Sequence, residues 1–194
     1  MIVGIPREIM DGEARVAATP ETVKKFVQDG AKVFVEAGAG ERALYSDNLY
    51  EEAGAQLVND TQGLFDKSDL ILKVKEPLFN EKYQKHEVDM MHKGQHLITF
   101  IHPASPVNHE MVKKLAQNEI ISMTLDSIPR ISRAQNMDAL TSMSTCAGYK
   151  GIIMATDELS IFMPQMFTAV GMLKPAKVLV IGAGQMGGGI AQVF

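Results

Sequence analysis

The chain has 194 residues, enough for one large domain or one and a half of ordinary size, and enough to bury a sizeable core. Hydrophobic residues make up 46% and charged residues 22%, the balance of a globular protein rather than a disordered or fibrous one. A net charge of −4 argues against a nucleic-acid partner, whose binding proteins carry a basic footprint, and the single cysteine excludes an internal disulfide framework and suits a reducing compartment.

No run of 18 apolar residues is present, so no transmembrane segment is expected. The opening MIVGIPREI is too short in its apolar run, and too soon charged, for a secretion signal. A cytoplasmic chain is expected. Cys146 reads as a small buried residue on a helix. The 13 methionines, several of them at Met154, Met163, Met166 and Met172, read as adaptable core filling. No metal-ligand spacing stands out.

Ile2 to Ile5 is predicted as a short buried strand closed by Pro6. Thr19 then caps a helix with Pro20 in its first position, Val23, Phe26 and Val27 as its apolar stripe, and Gly30 at its end. Lys32 to Glu36 is the next strand, with a turn at Gly38 and Gly40. Ser46 caps a second helix, stopped at Gly54. A brief strand at Gln56 to Val58 and a short helix holding Leu64 and Phe65 lead to the apolar strand Leu70–Leu72, which runs into Lys73 and Lys75 and ends at Pro77. Residues 78–95 are charged and read as a surface excursion with one helix. His96 to Ile101 forms another strand, followed by His102 and Pro103, a helix over Val107 to Asn118, and a strand over Ile120 to Leu125. Strands alternating with helices in this way imply a parallel sheet covered on both faces, a Rossmann-like α/β domain over residues 1–127.

The stretch after it, IPRISRAQNMDALTSMSTCAGYK, opens on a polar loop and sits where a strand gives way to a helix. Arg130, Arg133, Gln135 and Asp138 combine guanidinium, carboxamide and carboxylate groups, a set suited to a carboxamide ring and a pyrophosphate. A solvated loop whose charges pair with one another is the other reading. A long helix from Met137 to about Phe162 follows, breaking near Gly148 or Gly151, and then a Met-rich connector from Pro164 to Pro175.

Lys177 to Ile181 reads as a β-branched strand, and Gly182, Gly184 and Gly187 form GxGxxG directly after it, opening a helix. In that setting the first glycine permits a tight turn, the second lets the backbone approach a pyrophosphate, and the third lets helix and strand pack closely. The free N–H groups at the helix start favour phosphate. The backbone from Gly182 through Ala183, Gly184, Gln185 and Met186 to Gly187 is the expected dinucleotide cradle, the start of a second, NAD-binding Rossmann domain over residues 128–194. The acidic residue that would hold the ribose is expected about 20 residues further on. The sequence given stops before it, and the chain is read as a fragment or as one completed by another chain.

GIPREIMDGEARVAATPETV, VEAGAG, ILKVKEP, DSIPRISRAQNMDALTSMSTCAGY and KPAKVLVIGAG closely resemble the alanine dehydrogenase and pyridine-nucleotide transhydrogenase family, over essentially the whole chain. PRISRAQ and MDALTS resemble the loop that folds over NAD(H) in the α subunit of proton-translocating NAD(P) transhydrogenase. The resemblance implies that Arg130, Gln135 and Asp138 position the nicotinamide, and that Thr141 stands where the family has a serine. It implies NAD(H) as cofactor and NADP(H) on a partner subunit. It also implies docking on membrane-embedded and NADP-binding subunits, a homodimer, and a peripheral position on the cytoplasmic, matrix-equivalent side of the inner membrane.

Hydride transfer between two nicotinamides moves no proton at the reacting carbons, so its site requires positioning and electrostatics. Alanine dehydrogenation requires a cation for the substrate carboxylate and a proton shuttle. The resemblance places Arg15, Lys75 and His102 at those positions, so that activity is the alternative. A non-catalytic assembly module is a third reading. For His102 the alternative to a catalytic role is a polar strand-end residue bonded to backbone.

Overall fold

The computed structural model describes residues 1–182 and 184–193, and the chain divides into two compact units, Met1–Ser127 and Ile128 onward. Ala183, which belongs to the expected cradle, lies outside the described residues.

The first unit is built on six parallel strands: β1 (Ile2–Ile5), β2 (Lys32–Glu36), β3 (Gln56–Val58), β4 (Leu70–Leu72), β7 (His96–Thr99) and β8 (Ile121–Thr124). Their order across the sheet is β3-β2-β1-β4-β7-β8. Register puts Val3 beside Val33 and Leu70, and Ile71 beside Leu97, so the central strands are apolar on both sides, as a covered parallel sheet requires. Alternate residues feed two cores. Val3, Ile5, Val33 and Val35 pack with Val23 of helix α1 (Pro20–Gln28) and Tyr50 of helix α2 (Asp47–Glu52). Phe34, Ile71 and Leu97 pack with Leu64 and Phe65 of helix α3 (Thr61–Lys67) and with Met111 and Leu115 of helix α4 (His109–Gln117). Helices thus cover both faces of a Rossmann-like sheet.

The local signals at the helix ends act as read. Thr19 accepts the N–H of Thr22 and Pro20 opens α1. Gly54 takes the left-handed conformation, φ +94°, that ends α2. Ser46 occupies the N-cap of α2 without a side-chain cap bond. A 3₁₀ turn at Pro106–Asn108 precedes α4, which therefore starts two residues later than expected from Val107.

Residues 78–95 correct the expectation of a surface excursion with a helix. They form a small antiparallel ribbon, β5 (Phe79–Asn80) against β6 (Lys85–His86), and a 3₁₀ turn at Glu87–Met90, with Asn80, Glu87, Val88, Met90, Met91 and Gln95 buried. Two of the buried polar groups find distant partners: the Gln95 amide donates to the Phe65 and Ser68 carbonyls at 2.7 and 2.6 Å, and Glu87 takes Lys73 at 2.9 Å.

In the second unit, helix α5 (Ala139–Glu158) runs unbroken through Gly148 and Gly151, and the expected connector holds an antiparallel hairpin, β9 (Met166–Thr168) with β10 (Gly171–Leu173). Helix α6 spans Gln185–Val193. The predicted strand at Lys177–Ile181 is not formed: a parallel strand exists only through its neighbours' hydrogen bonds, and no described residue pairs with it. Cys146 is exposed rather than buried, and Met154, Met166 and Met172 are exposed rather than core. Among the described residues no helix is long and apolar enough to cross a membrane.

Candidate functional site

The polar loop and the glycine turn, far apart in sequence, meet within the second unit. Arg130, Ile131, Ser132, Gln135 and Asp138 from the loop, Thr141 and Ser144 from the start of α5, and Ile181, Gly182, Gly184, Met186 and Gly187 around the start of α6 line one cavity of about 530 Å³. That volume is in the range of small-molecule and cofactor sites.

Asp138 fixes the geometry of the loop. It is the N-cap of α5: one carboxylate oxygen accepts the N–H groups of Leu140 (3.0 Å) and Thr141 (3.2 Å), and the other accepts the Thr141 hydroxyl at 2.6 Å. The Thr141 hydroxyl, then the two N–H groups and the positive charge of Arg130, outweigh partial desolvation and hold its carboxyl below the usual aspartate range. A negative group here also suits the positive end of α5. Before it, residues Ser132–Met137 wind into a 3₁₀ turn whose Ala134 is buried, leaving Arg130, Arg133 and Gln135 exposed. A buried alanine flanked by exposed long polar side chains makes the loop an anchored platform.

Two glycines of the turn answer to packing. Gly182 sits at φ +100°, a conformation other residues adopt only with strain, and a Cβ on Gly187 would collide with the Gly182 carbonyl oxygen. Gly184 differs: a Cβ there would meet no described atom within 4 Å. Packing among the described residues therefore places no demand for glycine at 184. Gly148 lets α5 and α6 approach, since a Cβ would lie 3.0 Å from the Met186 carbonyl oxygen.

Ser144 was not anticipated. It follows Thr141 by three residues on a helix, which sets both hydroxyls on one face, and that spacing is the signal that could have found it. Ser132 was visible in the loop's composition but was not singled out as a contact.

The first unit holds the other set. Arg15 makes a two-pronged pair with Glu13, Nε at 2.8 Å and Nη2 at 2.6 Å. These hydrogen bonds lower the Glu13 carboxyl against its partial burial, and the charge of Lys75 adds to the effect. His102 stands at φ +49° just beyond β7, with its ring stacked on Phe100 and Nδ1 2.6 Å from Asp126 Oδ1. Asp126 also receives the backbone N–H groups of Ile101 (3.0 Å) and His102 (2.9 Å) and the Thr124 hydroxyl. Burial opposes ionisation of Asp126, but the Thr124 hydroxyl, these N–H groups and the His102 ring hold its carboxyl low. The ring's hydrogen bond is thus to a carboxylate, where the non-catalytic alternative expected backbone. With Nδ1–H donated to Asp126, Nε2 faces Glu76 Oε2 at 3.9 Å, an oxygen buried without a hydrogen-bond partner among the described residues. Among the described residues no cluster of three or more His, Cys, Asp or Glu could hold a metal ion.

The profile of the family described as "Alanine dehydrogenase/PNT, N-terminal domain" matches residues 4–147. The NAD(P) transhydrogenase subunit alpha of Cereibacter sphaeroides is 40% identical over 187 residues, 96% of this chain and 34% of that protein. Its counterpart in Haemophilus influenzae is 42% identical over 187 residues, 96% of this chain and 35% of that protein. An alanine dehydrogenase from Methanococcus maripaludis is 32% identical over 200 residues, 100% of this chain and 50% of that protein. Among solved structures, transhydrogenase from Sinorhizobium meliloti matches with a TM-score of 0.87 at 35% identity, over 100% of this chain and 56% of that one. An L-alanine dehydrogenase matches at 0.82 and 29% identity, over 100% and 51%. The chain spans about a third to a half of the length of these curated relatives.

Proposed function

The chain belongs to the alanine dehydrogenase/PNT N-terminal domain family, and from that premise we propose that it is the NAD(H)-binding part of the α subunit of a proton-translocating NAD(P) transhydrogenase. The observation that carries this reading is the convergence of the Arg130–Asp138 loop, the Thr141 and Ser144 hydroxyls and the glycine turn on one cavity. The N–H groups opening α6 lack helical acceptors and suit a pyrophosphate, and the open space at Gly184 is where a phosphate could approach the backbone.

NAD(H) held there would supply the hydride donor or acceptor. The residues' part is to bind and orient. Arg130 and Gln135 present planar donor sets for a carboxamide or phosphate, and Asp138 holds the loop to α5 while balancing the charge of Arg130. Gly182, Gly184 and Gly187, with the backbone of Gln185 and Met186, form the cradle. A transfer that moves no proton at carbon gains its rate from such placement. NADP(H) would lie on a partner subunit, with membrane-embedded subunits completing the proton path. A homodimer, peripheral on the cytoplasmic, matrix-equivalent side of the membrane, is the assembly this reading implies.

The His102–Asp126 pair favours one second reading, an alanine dehydrogenase in which Arg15 and Lys75 bind the substrate carboxylate and His102 shuttles protons. Kinetics of the full-length protein separate the two. Arg130→Ala or Gln135→Ala should cut hydride transfer to NADP+ analogues far more than NADH affinity, and normal turnover in both variants refutes the positioning role. His102→Ala should leave that transfer nearly unchanged. Loss of an alanine-dependent NAD+ reduction in His102→Ala would instead establish the dehydrogenase.

A further inference from the structure

The strand order of the first unit reverses between β1 and β4, since β2 and β3 lie to one side and β7 and β8 to the other. In open parallel sheets this reversal, outside the carboxyl ends of the strands, is where ligands bind. Here the place is filled from within. Glu8, three residues beyond β1, is 5% exposed. Its Oε1 accepts the Val74 N–H at 2.6 Å and its Oε2 accepts the Lys75 N–H at 3.3 Å, both from the segment just past β4. Lys73 Nζ, fully buried, lies 3.5 Å from Glu8 Oε2 and 2.9 Å from Glu87 Oε1. Glu87 Oε2 in turn accepts the Leu78 N–H at 2.9 Å.

Two successive backbone N–H groups and an ammonium converging on one carboxylate form the kind of donor set that proteins use to hold a ligand's carboxylate or phosphate. In this chain the anion is tethered. Nor does the helix after β1 offer a phosphate cradle of the usual kind. Residues 6–19 contain no GxGxxG, α1 opens on Pro20, and the N–H of Thr22 is already taken by the Thr19 side chain.

We propose that the strand-reversal position of the first unit is an anion site whose built-in occupant is Glu8. The site is closed by covalent design, and the same contact ties β1 to the segment carrying Lys75 and Glu76. The inference rests on the first unit alone and stands whichever activity the whole protein has.

Glu8→Ala in the full-length protein tests it, because the atoms removed are those of an acetate ion. Acetate should raise the unfolding temperature of Glu8→Ala by about 5–6 °C for each tenfold increase above its Kd. Sodium chloride at matched ionic strength should not. Wild type and Glu8→Gln, whose side chains fill the space, should show no acetate-specific shift. If Glu8→Ala cannot be purified folded, its refolding yield from urea replaces the melting temperature, and acetate should raise that yield where chloride does not. Equal effects of acetate and chloride on Glu8→Ala would overturn the proposal.

Discussion

Replacing Lys73 by methionine tests the polar heart of the first unit. Methionine has nearly the shape of the lysine stem, so the change removes a charge without opening a large cavity. What remains is Glu8 and Glu87, 2% and 0% exposed in their side chains, with no cation between them. Breaking a buried ion pair by removing one partner costs about 3–5 kcal/mol, because the other charge is left uncompensated. For a unit of this size that corresponds to a fall of roughly 12–20 °C in unfolding temperature. The pH dependence has a definite sign. Burial already pushes the Glu8 carboxyl up, against the pull of Lys73 and the Val74 N–H. Without Lys73 that upward push is unopposed by any charge, so the folded variant takes up protons that the unfolded chain releases. Its deficit should therefore shrink as pH is lowered towards and through the raised folded value. Urea denaturation followed by circular dichroism at a series of pH values measures both effects. A Lys73→Met variant within about 1 kcal/mol of wild type at neutral pH would refute the reasoning, since a surface ion pair is worth no more than that. A deficit that does not change with pH would refute it equally.

Asp138 should separate its two duties by substitution. Asp138→Asn keeps a capping oxygen and should leave the unfolding midpoint of α5 close to wild type, whereas Asp138→Ala should lower it. Because the Asp138 carboxyl is held low, the ionised cap is present above the ordinary aspartate range and is lost as pH falls through the depressed value, a loss that helical circular dichroism would follow and that Asp138→Ala should not show. Tyr50, fully buried, donates to the Ala18 carbonyl at 2.9 Å, and Tyr50→Phe should cost about 0.5–1.5 kcal/mol in urea denaturation. Burial pushes its phenol up to about 12 from 10, so the unfolded chain ionises first and wild-type stability should fall as pH rises above about 10, a slope that Tyr50→Phe should reduce.

The sheet was legible because its signals are local. Thr19, Pro20 and Gly30 mark a helix within a dozen residues, and the short, turn-bounded apolar runs Ile2–Ile5, Val33–Val35 and Leu70–Leu72 fit a covered strand. Residues 78–95 misled for the opposite reason. Glu87 and Gln95 are polar by composition, but their partners Lys73, Phe65 and Ser68 lie 14 to 30 residues away, and no window of sequence shows that. Helix α5 carries apolar and small polar residues around its whole circumference, so nothing in its pattern tells which side is covered, and Cys146 and Met154 were assigned to a core they do not enter. The stretch 177–181 has the composition of a strand, yet strands are made by neighbours rather than by composition. At the candidate site, Arg130, Gln135 and Asp138 were readable as chemistry. That Asp138 caps α5 through Thr141 was written in the D-x-x-T spacing but was read only as ligand contact. The left-handed backbone of His102 and its hold on Asp126 depend on the approach of two strand ends, which sequence spacing does not encode.

The central claim is that the glycine turn before α6 is a dinucleotide cradle. Its most direct test is an NADH fluorescence titration of wild type against Gly184→Val in the full-length protein, with unfolding temperature measured alongside. No described atom of the chain lies within 4 Å of where a Cβ at 184 would go, so the substitution should cost no more than the exchange of a glycine N-cap of α6 for a poorer one, about 1 kcal/mol. If a pyrophosphate approaches that backbone, NADH affinity should fall by about tenfold or more, ~1.4 kcal/mol. A folded Gly184→Val protein that binds NADH as well as wild type would contradict the account and detach the cavity from the cofactor.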